Sequence, residues 1–220
     1  MTDTELKELL KQGASELGLD LGESAPESFL KYFKELKTWN KKINLTSVDS
    51  DRDIIIRHFL DSLTAVPYVN GSKRLLDIGA GGGFPGIPLK IVLPELEVVL
   101  MDSVEKKVFF MRQVIRTLGL SNQKIEAVAA RIEDPAVIER YKGAFDCVIS
   151  RAFSELKNFL RLSLPYIEVG GRIVAIKGPA VSEELKEVED WDKITRPEIF
   201  DVKVPFENRV NKILVFRKTA

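Results

Sequence analysis

The stretch Asp77-Ile78-Gly79-Ala80-Gly81-Gly82-Gly83-Phe84-Pro85-Gly86 decides the fold. It follows a short apolar run at 74–79 and opens a helical pattern at 84–93. Its five glycines permit positive φ, a tight turn and close approach of backbone to a ligand, and a helix N-terminus beside such a turn attracts anions. Pro85 suits a first helical turn, where a missing N–H costs nothing. The next apolar run, 97–102, ends in Asp102, 23 residues beyond Gly79 (102 − 79). A carboxylate at the end of a second strand can accept from both hydroxyls of a ribose. Loop, helix and acidic strand end, in that order, predict a site for an adenosine-bearing cofactor, with Asp77, Gly79, Gly81 and Asp102 at its base. NAD and S-adenosylmethionine both carry that ribose, so these features alone do not choose between them.

Working outward, apolar runs at 124–129, 145–150 and 172–177 alternate with helical patterns at 104–118, 134–141, 154–166 and 180–190. Gly119 is a helix stop and Pro135 a helix start. Strands alternating with helices imply a parallel sheet covered by helices on both faces. Two last strand patterns, near 198–204 and 211–217, have no helix between them and read as an antiparallel pair at the sheet edge. A dinucleotide-binding fold repeats its strand–helix–strand unit twice with all strands parallel. Five parallel strands closed by a hairpin suit the Rossmann-like class I S-adenosylmethionine-dependent methyltransferase sheet better. Ligands in such α/β sheets bind beyond the carboxyl ends of the strands. That puts Arg131, Ile132 and Glu133 beside an adenine, and Arg151 and Phe153 over the other half of the cofactor and the substrate mouth. Glu133 also has a plainer reading, as a helix N-terminal acid favoured by the macrodipole.

Upstream of the loop the chain reads as helices. Leu6, Leu9, Leu10 and Leu17 fit one face of a short helix ending near Gly18. Pro26 opens a second, carrying Phe29, Phe33, Leu36 and Ile43, and a third runs through Ile55, Phe59, Leu63 and Val66 to stop at Pro67. Residues 1–70 are therefore expected to form a helical cap packed as one unit on a catalytic-type domain spanning 71–220. The 220 residues are 45% hydrophobic, enough for a sizeable core, and 33 Lys+Arg balance 33 Asp+Glu. A nucleic-acid partner would have to meet a local basic patch, because net charge supplies no attraction. Cys147 is the single cysteine and His58 the single histidine, which excludes an intrachain disulfide and Cys–His zinc clusters; no metal is expected. The opening MTDTELKELL lacks the pattern of a signal peptide, and no apolar run approaches the ~20 residues of a membrane span. A soluble cytoplasmic protein is expected, with a monomer the simplest state. The sequon Asn44-Leu45-Thr46 is then a chance match.

Taken in order, several elements resemble one bacterial family. They are Trp39-Asn40 with Asn44-Leu45-Thr46, Arg57-His58-Phe59-Leu60-Asp61-Ser62, the glycine loop, Leu100-Met101-Asp102-Ser103, Ile149-Ser150-Arg151-Ala152-Phe153 and Lys177-Gly178. They look like the RsmG family, also called glucose-inhibited division protein B. The glycine loop is generic, whereas the Leu60-Asp61-Ser62 element before it and the Ile149–Phe153 element after it are specific. The resemblance implies S-adenosylmethionine-dependent methylation of guanine N7 in the 530 loop of 16S ribosomal RNA. The partner would be that RNA, in the small ribosomal subunit or an assembly precursor. Matched position by position, it implies cofactor contacts at Gly79, Phe84, Ile132, Glu133 and Arg151, with Asp102 as the ribose acid.

Guanine N7 carries an in-plane lone pair and no proton, so it needs alignment with the methyl carbon and sulfur rather than a general base. Arg151 is the candidate for positioning, with a surface ion pair as its plainer reading. His58, as the sole histidine, is a second candidate, and its plainer role is structural; it shares a helix face with Asp61 and can pair with it. Lys41, Lys42, Arg57, Arg131, Lys177 and Arg209 are the candidate RNA contacts. Three rivals stay open: an NAD-dependent oxidoreductase, a methyltransferase of a small molecule or protein, and a non-catalytic RNA-binding factor that has kept the fold.

Overall fold

The computed structural model describes residues 1–151, 153, 155–178, 181–188 and 192–219. Helix α1 (Asp3–Glu16) starts from a capping box in which Thr2 and Glu5 satisfy each other's backbone N–H. It buries Leu6, Leu9, Leu10 and Ala14. Helix α2 (Ser24–Ile43) buries Phe29, Tyr32, Phe33 and Leu36, the i, i+3, i+4, i+7 stripe of an amphipathic helix. It ends at Asn44, which takes the left-handed cap conformation (φ 50°). Pro26 lies inside the first turn, two residues after the helix begins at Ser24 (26 − 24), and does not open it.

The third helix expected from the sequence is instead a broken run. Helix α3 (Asp51–Ile54) passes into a π-helical segment, Ile55–Leu60, and then into α4 (Asp61–Leu63). Pro67 does not stop it: it sits in the first turn of a separate short helix, α5 (Val66–Val69), where its missing N–H is harmless. The apolar spacing survives the widened turn, so periodicity gave no sign of it.

Seven strands follow among the described residues: β1 (Arg74–Ile78), β2 (Glu97–Asp102), β3 (Ile125–Ala129), β4 (Phe145–Arg151), β5 (Ile167–Lys177), β6 (Glu198–Lys203) and β7 (Val210–Arg217). They lie in the order β3-β2-β1-β4-β5-β7-β6. The first five are parallel, and β7 and β6 are antiparallel at one edge, as the connections required. Strand β5 begins five residues before the expected 172 (172 − 167), because Gly170-Gly171 reads as a turn yet continues the strand. Helices α6 (Gly86–Val92), α7 (Glu105–Thr117), α8 (Pro135–Tyr141), α9 (Leu156–Ser163) and α10 (Val181–Lys186) connect the strands. Of the helix expected at 180–190, residues 180, 189 and 190 lie outside the described residues, as does Ala152 of the Ile149–Phe153 element.

Alternate strand residues feed two cores. Leu75, Val98, Leu100, Cys147 and Ile149 face the N-terminal helices with α6 and α7, while Leu76, Ile78, Val99, Met101 and Val148 face α8 and α9. Residues 1–70 thus share one continuous apolar core with one face of the sheet. Successive strands step one way from β1 to β3 and the other way from β4 to β5. The crevice between β1 and β4, at their carboxyl ends, is where such a sheet binds ligands.

Candidate active site

A cleft of about 620 Å³ opens at those strand ends. Gly79 from the β1 end, Asp102 from β2, Ile132 and Glu133 after β3, and Arg151 and Phe153 after β4 all line it. The glycine loop is held from below. Asp77 is fully buried, and its Oδ2 accepts the Gly86 N–H at 2.8 Å. A Cβ at Gly86 would stand 2.3 Å from Leu100 Cδ2 and 2.9 Å from Asp77 Oδ2, so only glycine fits at this helix start. Burial pushes the Asp77 carboxyl up to about 7, against the pull of the Gly86 N–H and Arg151, and its Oδ1 has no partner among the described residues.

Asp102 braces the loop from the side. Its Oδ2 accepts from Gly81 N–H and its Oδ1 from Val104 N–H, both at 2.9 Å. A carboxylate offers about four acceptor positions, so capacity remains for a ribose diol. Gly79 takes a left-handed conformation (φ 70°), which leaves bare backbone at the cleft wall. Met101 and the buried Ile132 supply apolar surface for a purine. These features fit an adenosine-bearing cofactor. Glu133 is exposed and pairs loosely with Arg131 at 3.7 Å.

Phe84 is not a cleft wall. It is nearly buried and stacks on Tyr32 (centroids 5.2 Å, 10°) and on His58 (4.9 Å, 21°). The Tyr32 hydroxyl donates to the Gly82 carbonyl. Helix α2 therefore carries an aromatic platform directly under the glycine loop, which no local motif announced.

Arg151 reaches the cleft, but its guanidinium turns toward the cap. Nη1 donates to Asp61 Oδ2 at 2.8 Å and to the Arg57 carbonyl at 2.9 Å; Nη2 lies 3.3 Å from His58 Nδ1. The guanidinium also covers the Phe84 ring at 5.1 Å. The π-helical segment supplies the backbone acceptor, and π-turns recur at functional sites. Asp61, with 4% of its side chain exposed, is the hub of this cluster. Its Oδ1 accepts from Arg209 Nη2 at 2.8 Å and Asn211 Nδ2 at 2.7 Å. The expected His58–Asp61 pair does not form among the described residues: the two are joined through Arg151, because the Arg151 and Arg209 guanidiniums are stronger partners for the Asp61 carboxylate than a neutral imidazole. His58 Nε2 instead meets Thr46 Oγ1 at 2.7 Å. Burial, and then the Arg151 charge, depress the imidazole to about 4, so it is neutral at physiological pH.

Of the candidate RNA contacts, Lys177 is withdrawn. Only 8% of its side chain is exposed, and its ammonium is bound to Glu184 at 2.7 Å and to the Phe153 carbonyl at 3.0 Å. It stiffens the β5 end and the segment beside the cleft. Lys41, Lys42, Arg57, Arg131 and Arg209 are exposed or partly so. Arg57 and Arg209 share Glu207, at 2.9 and 3.0 Å. Ser103, Lys107, Asn158, Arg161 and Leu162 also line the cleft, and of these only Ser103 lies in an element that the sequence marks. Asn158 and Arg161 lie three apart on α9, a spacing that places both on one face.

A family model described as "GidB: rRNA small subunit methyltransferase G" matches residues 25–213. A ribosomal RNA small subunit methyltransferase G of Geobacter sp. (strain M21) is 45% identical over 184 residues, 84% of this chain and 83% of that protein. Another, of Geotalea uraniireducens (strain Rf4), is 42% identical over 217 residues, 97% of each chain. Among solved structures, an O-methyltransferase from Bacillus cereus superposes with TM-score 0.60 at 17% identity, covering 85% of this chain and 90% of that one. A predicted O-methyltransferase from Agrobacterium tumefaciens gives TM-score 0.60 at 21% identity, covering 74% and 80%. These two likenesses carry the fold, and the sequence matches carry the family and set the oxidoreductase reading aside. The chain belongs to the rRNA small subunit methyltransferase G family.

Proposed function

We propose that the chain transfers the methyl group of S-adenosylmethionine to N7 of a guanine in the 530 loop of 16S ribosomal RNA. The observation that carries this reading is the Asp102 carboxylate, which braces Gly81 at the cleft floor with acceptor capacity left for a ribose. In this reading Asp102 holds the ribose, and Gly79 and Gly81 present backbone to the cofactor. Ile132 and Glu133 flank the adenine, and Arg151 faces the methionine half. Asp77 and Phe84 act from beneath, by fixing the loop. S-adenosylmethionine supplies an electrophilic methyl on a sulfonium.

N7 of guanine is already an exposed lone pair, so the chain's task is alignment and exclusion of water. The site accordingly has no need of a base. The only histidine is held neutral by burial and by the Arg151 charge, with its ring against Thr46 and Arg151. The target base must be unstacked or in a loop to reach a cleft of this kind. Arg131 at its lip, with Arg57, Arg209, Lys41 and Lys42 on the cap side, would meet RNA phosphates. Residues 1–70 would then act as a cap that moves with domain 71–220 as one unit. A cytoplasmic monomer acting on the small subunit or its precursor is the simplest setting. No helix of the described residues is long and apolar enough to cross a membrane.

Calorimetric titration tests the cofactor assignment. The chain should bind S-adenosylmethionine and not NAD, and Asp102→Ala should weaken binding about tenfold or more, since hydrogen bonds to a charged group are lost. Binding of NAD in preference, or unchanged affinity in the variant, would remove the basis of the reading.

A further inference from the structure

Outside the cleft, the cluster linking cap to sheet contains one group whose chemistry is fixed by its neighbours. His58 Nδ1 faces Arg151 Nη2 at 3.3 Å, and Nε2 faces Thr46 Oγ1 at 2.7 Å. A guanidinium has only N–H groups to offer. The ring nitrogen facing it must therefore present a lone pair, which puts the imidazole proton on Nε2. The Thr46 hydroxyl can receive it, because its oxygen has two acceptor positions and the Val48 N–H, at 3.0 Å, uses only one. Thr46 is in turn held by Asn40, whose amide bonds the Thr46 backbone N–H and carbonyl at 2.8 and 2.9 Å. Asn40 and Thr46, within the Trp39-Asn40 and Asn44-Leu45-Thr46 elements, thereby acquire a physical purpose: they orient one imidazole.

We propose that His58 is a positioning residue for Arg151, a neutral imidazole protonated on Nε2 whose Nδ1 lone pair holds the guanidinium over Phe84 at the cofactor loop. The proposal rests on the reading of Arg151 as the residue facing the methionine half. Three neighbours favour it, while the Arg57 carbonyl and the Asp61 charge pull the other way on the ring proton and are outweighed by burial and the Arg151 charge. The π-helical segment gives the Arg57 carbonyl to Arg151 Nη1, Asp61 gives its carboxylate, and Phe84 stacks on the imidazole and on the guanidinium. The charged groups facing His58 are Arg151 from β4, Asp61 from the following turn and Arg209 before β7. Two of the three are cations, which disfavour a second ring proton. The opposite tautomer would aim Nδ1–H toward Arg151 and force the guanidinium away.

Because His58 is the only histidine, imidazole nitrogen NMR of the full ¹⁵N-histidine-labelled chain reports it without ambiguity. The expected spectrum is the Nε2–H tautomer, with no titration between pH 8 and about 5. A dominant Nδ1–H tautomer, or titration near the ordinary value of 6.5, overturns the proposal. Two variants supply the functional readout, by calorimetric affinity for S-adenosylmethionine. His58→Asn keeps an acceptor, Oδ1, at the position of Nδ1 and should stay within about threefold of the parent. His58→Gln keeps a donor toward Thr46 but no acceptor at that position, and should bind about tenfold more weakly. Equal loss in both variants would mean a merely structural role and would also overturn it. If the parent chain does not bind the cofactor at all, the cofactor reading fails, while the tautomer measurement still decides the His58 assignment.

Discussion

Asp61→Ala is the substitution whose consequence the structure defines most fully. The carboxylate is buried and accepts from Arg151, Arg209 and Asn211 at 2.8, 2.8 and 2.7 Å. Removing one partner of a buried ion pair costs about 3–5 kcal/mol, because a charge is left uncompensated. Arg151, with 16% of its side chain exposed, would bear that penalty, whereas Arg209, at 40%, can turn to water. The expected loss is therefore at the lower end, about 3 kcal/mol, or a fall in Tm of about 6 to 12 °C for a chain of this size. Urea unfolding at fixed pH and salt, with unchanged m-value, measures it. The double variant Asp61→Ala/Arg209→Ala should lose less than the sum of the two single changes, since each single change already breaks the same ion pair. A loss below about 1 kcal/mol, or strict additivity, would refute the picture of Asp61 as the hub joining cap, sheet and hairpin.

Three further outcomes follow from the geometry. Gly86→Ala should destabilise the chain by about 1–3 kcal/mol through the clash with Leu100 and Asp77, and should weaken cofactor binding in the same titration. The pH dependence has two opposed parts. His58 stays neutral in the fold down to about 4, whereas the unfolded chain takes up a proton near 6.5, so its contribution is complete above 6.5 and declines as pH falls toward 4. Asp77, raised to about 7 from 3.8, does the reverse, since the folded state holds a proton that the unfolded chain has released. Asp77→Asn removes that offset, and its unfolding free energy should climb by about 3 kcal/mol between pH 4 and 6.5, more steeply than the parent's. Finally, Arg57→Ala and Arg209→Ala should weaken RNA binding and reduce its salt dependence, whereas Lys177→Ala should lower stability and leave the salt slope unchanged, as its ammonium is buried on Glu184.

The parts of the fold legible in the sequence are those set by local pattern. Apolar runs broken by helices located the strands, and the missing helix before β7 announced the antiparallel edge. The glycine loop and Asp102 were legible because their spacing belongs to one strand–loop–helix–strand unit. The cluster around Asp61 was not, because Asp61 meets Arg209 and Asn211 across 148 and 150 residues, and no local signal spans that distance. The widened π-turn at Ile55–Leu60 keeps the apolar spacing of an ordinary helix, so periodicity does not reveal it. The placement of Lys177 is equally silent in the sequence. A lysine at a strand end can point to solvent or inward, and Glu184 decides it.

The most direct test of the central claim is transfer of labelled methyl from S-adenosylmethionine to small-subunit RNA that lacks the modification, followed by digestion to nucleosides. The account predicts label in 7-methylguanosine with the parent chain, and its loss with folded Asp102→Ala. Label in a different nucleoside, or none while S-adenosylmethionine binds normally and both free RNA and assembled subunits are offered, would contradict it.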